Sequence, residues 1–88
     1  MKRDMELVRK ILFALEECEH GYAPSSLNIE GYTVDQLGYH CHLMKQAGLI
    51  HAVEMNTLGC RSPTAIPTSL TWEGHEFAEA ARSDTIWN

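Results

Sequence analysis

Long apolar runs and paired cysteines are both missing from this sequence. Its uninterrupted apolar stretches are only a few residues long, far short of the roughly 20 residues that span a bilayer, which argues against a membrane protein. The cysteines Cys18, Cys41 and Cys60 form an odd set without paired spacing, and no apolar signal segment precedes the first helix. We therefore expect reduced thiols in a cytoplasmic protein.

Positive charge is also scarce. Seven Lys and Arg residues oppose twelve Asp and Glu residues, which gives a formal net charge of -5. This is the wrong sign for a protein whose whole surface attracts a polyanion, so nucleic-acid binding would depend on a local patch. Lys2, Arg3, Arg9 and Lys10 are near the start of the chain. We favour a solvated helix face over a phosphate-contacting patch for these four residues.

Signatures of catalysis and metal binding are absent. The chain contains no glycine-rich phosphate loop, Gly-x-Ser-x-Gly, Cys-x-x-Cys or His-x-x-x-His. His40 and His42 are two positions apart in a predicted helix, so they point in nearly opposite directions and cannot share one ion. We expect no metal, no cofactor and no enzymatic activity.

The length of 88 residues, with 44% hydrophobic and 22% charged residues, is typical of a single globular domain covering residues 1–88. A first helix from Arg3 to about Cys18 is predicted because its apolar residues recur at helical spacing. These residues are Met5, Val8, Ile11, Leu12 and Leu15.

The stretch from Thr33 to Ile50 contains the clearest local signals. Thr33, followed three residues later by Gln36, predicts a capping box, and Gly48 predicts the end of a helix spanning residues 33–47. The side of this helix that we predict to be buried carries Leu37, His40, Cys41, Leu43, Met44 and Ala47. The opposite side carries Asp35, Tyr39, His42 and Gln46.

Two strands and a helix are predicted after the central helix. Leu49–Asn56 and Ala65–Thr71 form an antiparallel pair around the turn sequence TLGCRSPT, and Thr71 caps the last helix. Glu19–Tyr32 reads as a loop with at most a short strand around residues 27–29. The helix that precedes a recognition helix in a helix-turn-helix is therefore short or missing.

These elements predict a mostly helical α+β fold that is winged-helix-like, with three helices and a two- or three-stranded antiparallel β wing. The segments TVDQLGYHCHLMKQAGLI and LTWEGHEF resemble the winged-helix superfamily of bacterial regulators. This resemblance implies binding of double-stranded DNA through the central helix. The side chains implied to face the major groove are Gln36, Tyr39, His42 and Gln46, and those implied to face phosphates are Lys45 and Arg61.

A narrower resemblance covers nearly the whole chain. The start MKRDMELVRKILFALEE, the middle HGYAPSSLNIEGYTVDQLGYHCHLMKQAGLI and the end AIPTSLTWEGHEFAEAARSDTIWN are similar to a family of small bacterial and phage-associated proteins of unknown function. Membership would imply a winged-helix-like fold and no established activity or site.

Two functional hypotheses remain open. The first is a DNA-binding transcriptional regulator, and the second is a protein-interaction module on the same scaffold, which the acidic balance and the weakly charged wing favour.

Large aromatic residues near the end of the chain bear on oligomeric state. Trp72, Phe77 and Trp87 are interpreted either as a homodimer contact or as part of the monomer core.

Overall fold

The computed structural model describes residues 1–18, 21–23, 27–55 and 62–83. Its elements are, in chain order, α1 (Met5–Glu16), α2 (Val34–Gln46), β1 (Ile50–Glu54), β2 (Ala65–Leu70) and α3 (Trp72–Ser83). The predicted fold class is confirmed, since three helices and a two-stranded antiparallel sheet form a mostly helical α+β structure. The arrangement is consistent with a winged-helix-like fold.

Asp4 sets the start of α1. Its carboxylate oxygen Oδ1 accepts hydrogen bonds from the backbone N–H groups of Glu6 and Leu7, at 2.9 and 3.4 Å. Asp4 itself has extended backbone, so the observed helix is shorter at this end than the predicted one, which began at Arg3. The buried side chains of α1 are Leu7, Val8, Ile11, Leu12 and Leu15. Leu7 is absent from the predicted set.

The predicted caps of α2 are confirmed. Thr33 Oγ1 accepts from the backbone N–H of Gln36 at 3.1 Å, and Gln36 Oε1 accepts from the backbone N–H of Thr33 at 2.8 Å. Gly48 follows the C-cap residue Ala47 with a φ of 79°, which a glycine adopts without steric cost. Local chemistry therefore fixes both ends of this helix.

The sheet pairs Ile50 with Leu70 at one end and Glu54 with Ala65 at the other. Its register shifts between His51 and Ala52, and both strands are shorter than predicted. Among the described residues between α1 and α2, no helix or strand is present, including at residues 27–29. Instead, the backbone N–H of Ala23 donates to the carbonyl of Thr68 on β2 at 2.8 Å.

The core lies where α1 packs against α2 and α3, and α2 packs across both strands. Thr71 joins the end of α2 to the start of α3, because its Oγ1 accepts from the backbone N–H of Gly74 at 3.0 Å and donates to the carbonyl of Gly48 at 2.5 Å. This confirms the predicted N-cap. None of the described helices is both long enough and apolar enough to cross a bilayer.

Candidate nucleic-acid interface

The outward side of α2 carries the predicted contact residues, but not all of their side chains are available. Gln46 and Lys45 are exposed, whereas Tyr39 and His42 are half-buried. Gln36 is also half-buried, and its side-chain oxygen is used in the capping box. Gln36 is therefore a weaker candidate for contact with a base than the resemblance implied.

Glu54 on β1 lies beside the same surface. His42 Nδ1 is 2.9 and 3.0 Å from the two carboxylate oxygens of Glu54, and Lys45 Nζ is 3.8 Å from Oε1. Two predicted contact residues are thus bound to one carboxylate. The sequence reasoning missed Glu54, although strand alternation from the buried residue Ile50 through Ala52 places it on the side that faces α2.

Tyr39 is held between two histidine rings. Its ring stacks with His42 at a centroid distance of 6.3 Å and an interplanar angle of 29°. It also contacts His40 edge-on, at 5.9 Å and 85°. Such aromatic contacts restrict the orientation of the Tyr39 ring.

Cations lie on both sides of the ridge that Tyr39 and Gln46 form on the outward side of α2. Lys45 is on the side that faces β1, where it meets Glu54. Arg3 is on the opposite side, where it borders a groove of about 410 Å³ together with Leu43, Gln46 and Ala47. Arg61, the remaining predicted phosphate contact, lies outside the described residues.

Histidine and cysteine side chains near α2 have separate partners. His40 hydrogen-bonds to backbone groups and His42 to Glu54, so they do not converge. Within the part of the chain that the structure describes, no three His, Cys, Asp or Glu side chains are placed to hold a metal ion. Cys41 is fully buried, and this burial raises the pKa of its thiol to about 12.

The aromatic residues considered for a dimer contact differ in exposure. Trp72, the first residue of α3, is 76% exposed. Phe77 is half-buried and packs against the monomer core. Trp87 lies outside the described residues.

Comparison with known proteins identifies a family for this chain. Residues 2–88 match the family described as Hypothetical protein (DUF2513). The chain belongs to this family. An uncharacterized protein of Haemophilus influenzae is 40% identical over 91 residues, which cover 100% of this chain and 74% of that relative. No solved structure matches the chain.

Proposed function

We propose that this DUF2513 family member binds double-stranded DNA and acts as a transcriptional regulator, with α2 as its recognition helix. The observation that carries this proposal is the pair of cations flanking the outward ridge of α2. A helix in the major groove has a phosphate backbone on each side. Arg3 and Lys45 lie on opposite sides of the ridge, which is the placement that phosphate contacts require.

Tyr39 and Gln46 are the proposed base-reading residues. They are seven positions apart, so they project from one side of α2 about 10 Å apart along its axis. Gln46 is exposed, and an amide side chain can pair with two groups on an adenine edge. Tyr39 offers its hydroxyl from a ring fixed by His40 and His42.

Binding to duplex DNA of random sequence should be weak. Asp35 is exposed in the first turn of α2, and Glu54 neutralises part of the charge of Lys45. With Arg3 and Lys45 as the flanking cations, the logarithm of the binding constant should fall with the logarithm of salt concentration with a slope of about -2 per monomer.

The test is fluorescence anisotropy with random duplex DNA, starting at low salt and followed by a salt titration. Arg3→Gln and Lys45→Gln should each reduce the slope by about one. Arg82→Gln is the matched control, because it removes the same charge from α3, where Arg82 pairs with Glu16 at the far end of α1. Circular dichroism checks that each variant is folded. No binding at low salt would contradict the proposal.

A second candidate function is protein interaction on the same scaffold. Val53 and Ile66 are direct cross-strand partners on the outer face of the sheet, with 55% and 47% exposure, and Met55 beside them is 40% exposed. An apolar wing surface suits a protein partner better than phosphates. The same anisotropy assay separates the two functions, because a failure to bind duplex DNA would favour the protein-interaction function.

We also propose a homodimer, with Trp72 in the contact between the two copies. A tryptophan buries a large apolar area when it joins an interface, and Trp72 is 76% exposed in the single chain. Size-exclusion light scattering over a range of concentrations should give a dimer mass for the wild type and a monomer mass for Trp72→Lys. A monomer at all concentrations would contradict this proposal.

A further inference from the structure

His40 is the one buried polar side chain in the described core, with 2% exposure. Its Nε2 lies 2.8 Å from the backbone nitrogen of Asp4, and its Nδ1 lies 2.7 Å from the carbonyl oxygen of Gln36. The N–H of Asp4 can only donate, so Nε2 accepts. Nδ1 therefore carries the hydrogen and donates to Gln36. Both ring nitrogens are used, and the imidazole is fixed between α2 and the residue that begins α1.

Asp4 is held on both its backbone and its side chain. The backbone N–H of Asp4 donates to His40. The carboxylate of Asp4 caps α1 and also accepts from the hydroxyl of Tyr32 at 3.4 Å. Residues 1–4, of which Asp4 is the last, are exposed, and we call them the N-terminal arm. Because its last residue is bound to α2 at His40, the arm leaves the core beside the proposed recognition helix.

The arm lies along one side of α2. Lys2 and Arg3 border a depression together with Gln36 and His40. Arg3 also borders the groove that reaches Gln46, near the other end of the helix. A short segment with two adjacent cations thus extends beside the ridge that is proposed to enter the major groove.

We propose that the N-terminal arm is a second DNA-contact element and that His40 is its positioning residue. The inference rests on the proposed function and assigns its phosphate contacts: Lys2 and Arg3 bind the backbone on one side of the groove. His40 touches no DNA. It fixes the base of the arm before binding, so that less conformational entropy is lost when the two cations meet phosphates.

The anchoring is tested first without DNA, by hydrogen exchange of the Asp4 amide measured by NMR. His40→Leu removes the acceptor and should accelerate this exchange by about tenfold or more. His40→Gln retains a side-chain oxygen that can accept from Asp4 and should preserve most of the protection. Unchanged exchange in His40→Leu would overturn the anchoring.

The contact itself is tested by the salt dependence of binding to random duplex DNA. With Lys2 added to Arg3 and Lys45, the expected slope for the wild type becomes about -3 per monomer. Lys2→Gln combined with Arg3→Gln should reduce its magnitude by about two, and His40→Leu should do the same by releasing the arm. His40→Gln should restore the wild-type slope, and Arg82→Gln again controls for net charge. Because Lys2 and Arg3 are exposed, their double variant keeps the test available if His40→Leu does not fold.

The outcomes separate the arm from the proposed function. Wild-type protein that binds no duplex at low salt would overturn both, because the arm would have no phosphates to contact. Wild-type binding with an unchanged slope in the double variant of Lys2 and Arg3 would overturn the arm and would also remove Arg3 from the proposed phosphate contacts. The DNA-binding function itself would stand, with Lys45 and the outward side of α2 as the contact surface. A reduced slope in both His40→Leu and the double variant, with rescue by His40→Gln, supports the inference.

Discussion

Glu54 and His42 form a hydrogen-bonded pair at the edge of the proposed interface, with both carboxylate oxygens within 3.0 Å of Nδ1. The same carboxylate attracts Lys45 at 3.8 Å. Glu54 therefore orients two side chains of α2, and it also opposes any phosphate that approaches them. These two effects make Glu54 the residue at which the DNA-binding and protein-binding hypotheses differ most.

Glu54→Gln should strengthen binding to duplex DNA. The amide oxygen can still accept from His42, but the negative charge that repels a phosphate near Lys45 is gone. We expect a gain of about fivefold at low salt, or about 1 kcal/mol, with a salt slope close to that of the wild type because the number of cations that contact phosphates is unchanged. Anisotropy measures both quantities.

Glu17→Gln is the matched control for this charge change, because Glu17 is exposed at the C-terminal end of α1. An equal gain in this variant would show that only net charge matters. Weaker DNA binding by Glu54→Gln would indicate instead that the carboxylate is needed to orient the helix surface.

Local sequence signals were sufficient to predict α2, but they did not reveal its tertiary partners. The capping box of Thr33 and Gln36 depends on residues three positions apart, so the sequence shows it directly. The bond from Asp4 to His40 joins residues 36 positions apart. Periodicity placed His40 on the buried side, but only the packed structure shows that its ring binds the start of α1.

For the same reason, the sequence predicted only the part of the candidate site that lies on α2 itself. Tyr39 and Gln46 lie on the outward side of α2, as helical spacing requires. Glu54 enters the site because β1 packs against α2, and a sequence pattern does not show which strand position meets which helix position. The cation Arg3 likewise reaches this surface through the packing of α1 rather than through any local motif.

Gly74→Ala should destabilise the protein although it improves helix propensity by about 1 kcal/mol. A Cβ at this position would lie 2.0 Å from the backbone carbonyl oxygen of Leu49, which cannot rotate away. We expect a net loss of about 2 kcal/mol in the free energy of unfolding, because overpacking against backbone exceeds the propensity gain. Urea denaturation measures the loss, and a more stable variant would contradict the close approach of α3 to Leu49, which lies between α2 and β1.

Gly38→Ala should cost less than Gly74→Ala. Here the added Cβ would lie 1.9 Å from Thr64 Oγ1, and a side chain can change rotamer to relieve the contact. We expect a loss of about 1 kcal/mol. Combining Gly38→Ala with Thr64→Ala should recover part of it relative to Thr64→Ala alone. Strict additivity of the two substitutions would argue against the contact.

Thr71→Val should reduce stability by about 2 kcal/mol. The substitution keeps the shape of the side chain but removes the hydroxyl that accepts from Gly74 and donates to Gly48. Loss of a helix N-cap costs about 1 kcal/mol, and loss of a second hydrogen bond costs a similar amount. Thr71→Ser retains the hydroxyl and should lose much less. Equal unfolding free energies for Val and Ser would show that the hydroxyl does not join α2 to α3.

Cys41 should make the folded state less stable at alkaline pH. Burial raises the pKa of its thiol to about 12, whereas the unfolded chain has a value near the ordinary 9.0. Between these values the unfolded state binds fewer protons than the folded state, so the free energy of unfolding falls as pH rises. The slope from this thiol approaches about 1.4 kcal/mol per pH unit.

Urea denaturation at increasing pH, compared between the wild type and Cys41→Ala, isolates this contribution. Alanine lowers stability at neutral pH because it leaves a small cavity, but it should remove the part of the alkaline loss that the thiol causes.

Cys18 provides an internal contrast, since it is half-buried and its Sγ donates to the carbonyl of Ala14. In a Cys60→Ala background, a thiol reagent should modify Cys18 in the folded protein and Cys41 only after unfolding. Rapid modification of both thiols in the folded state would contradict the buried position of Cys41 on the core side of α2.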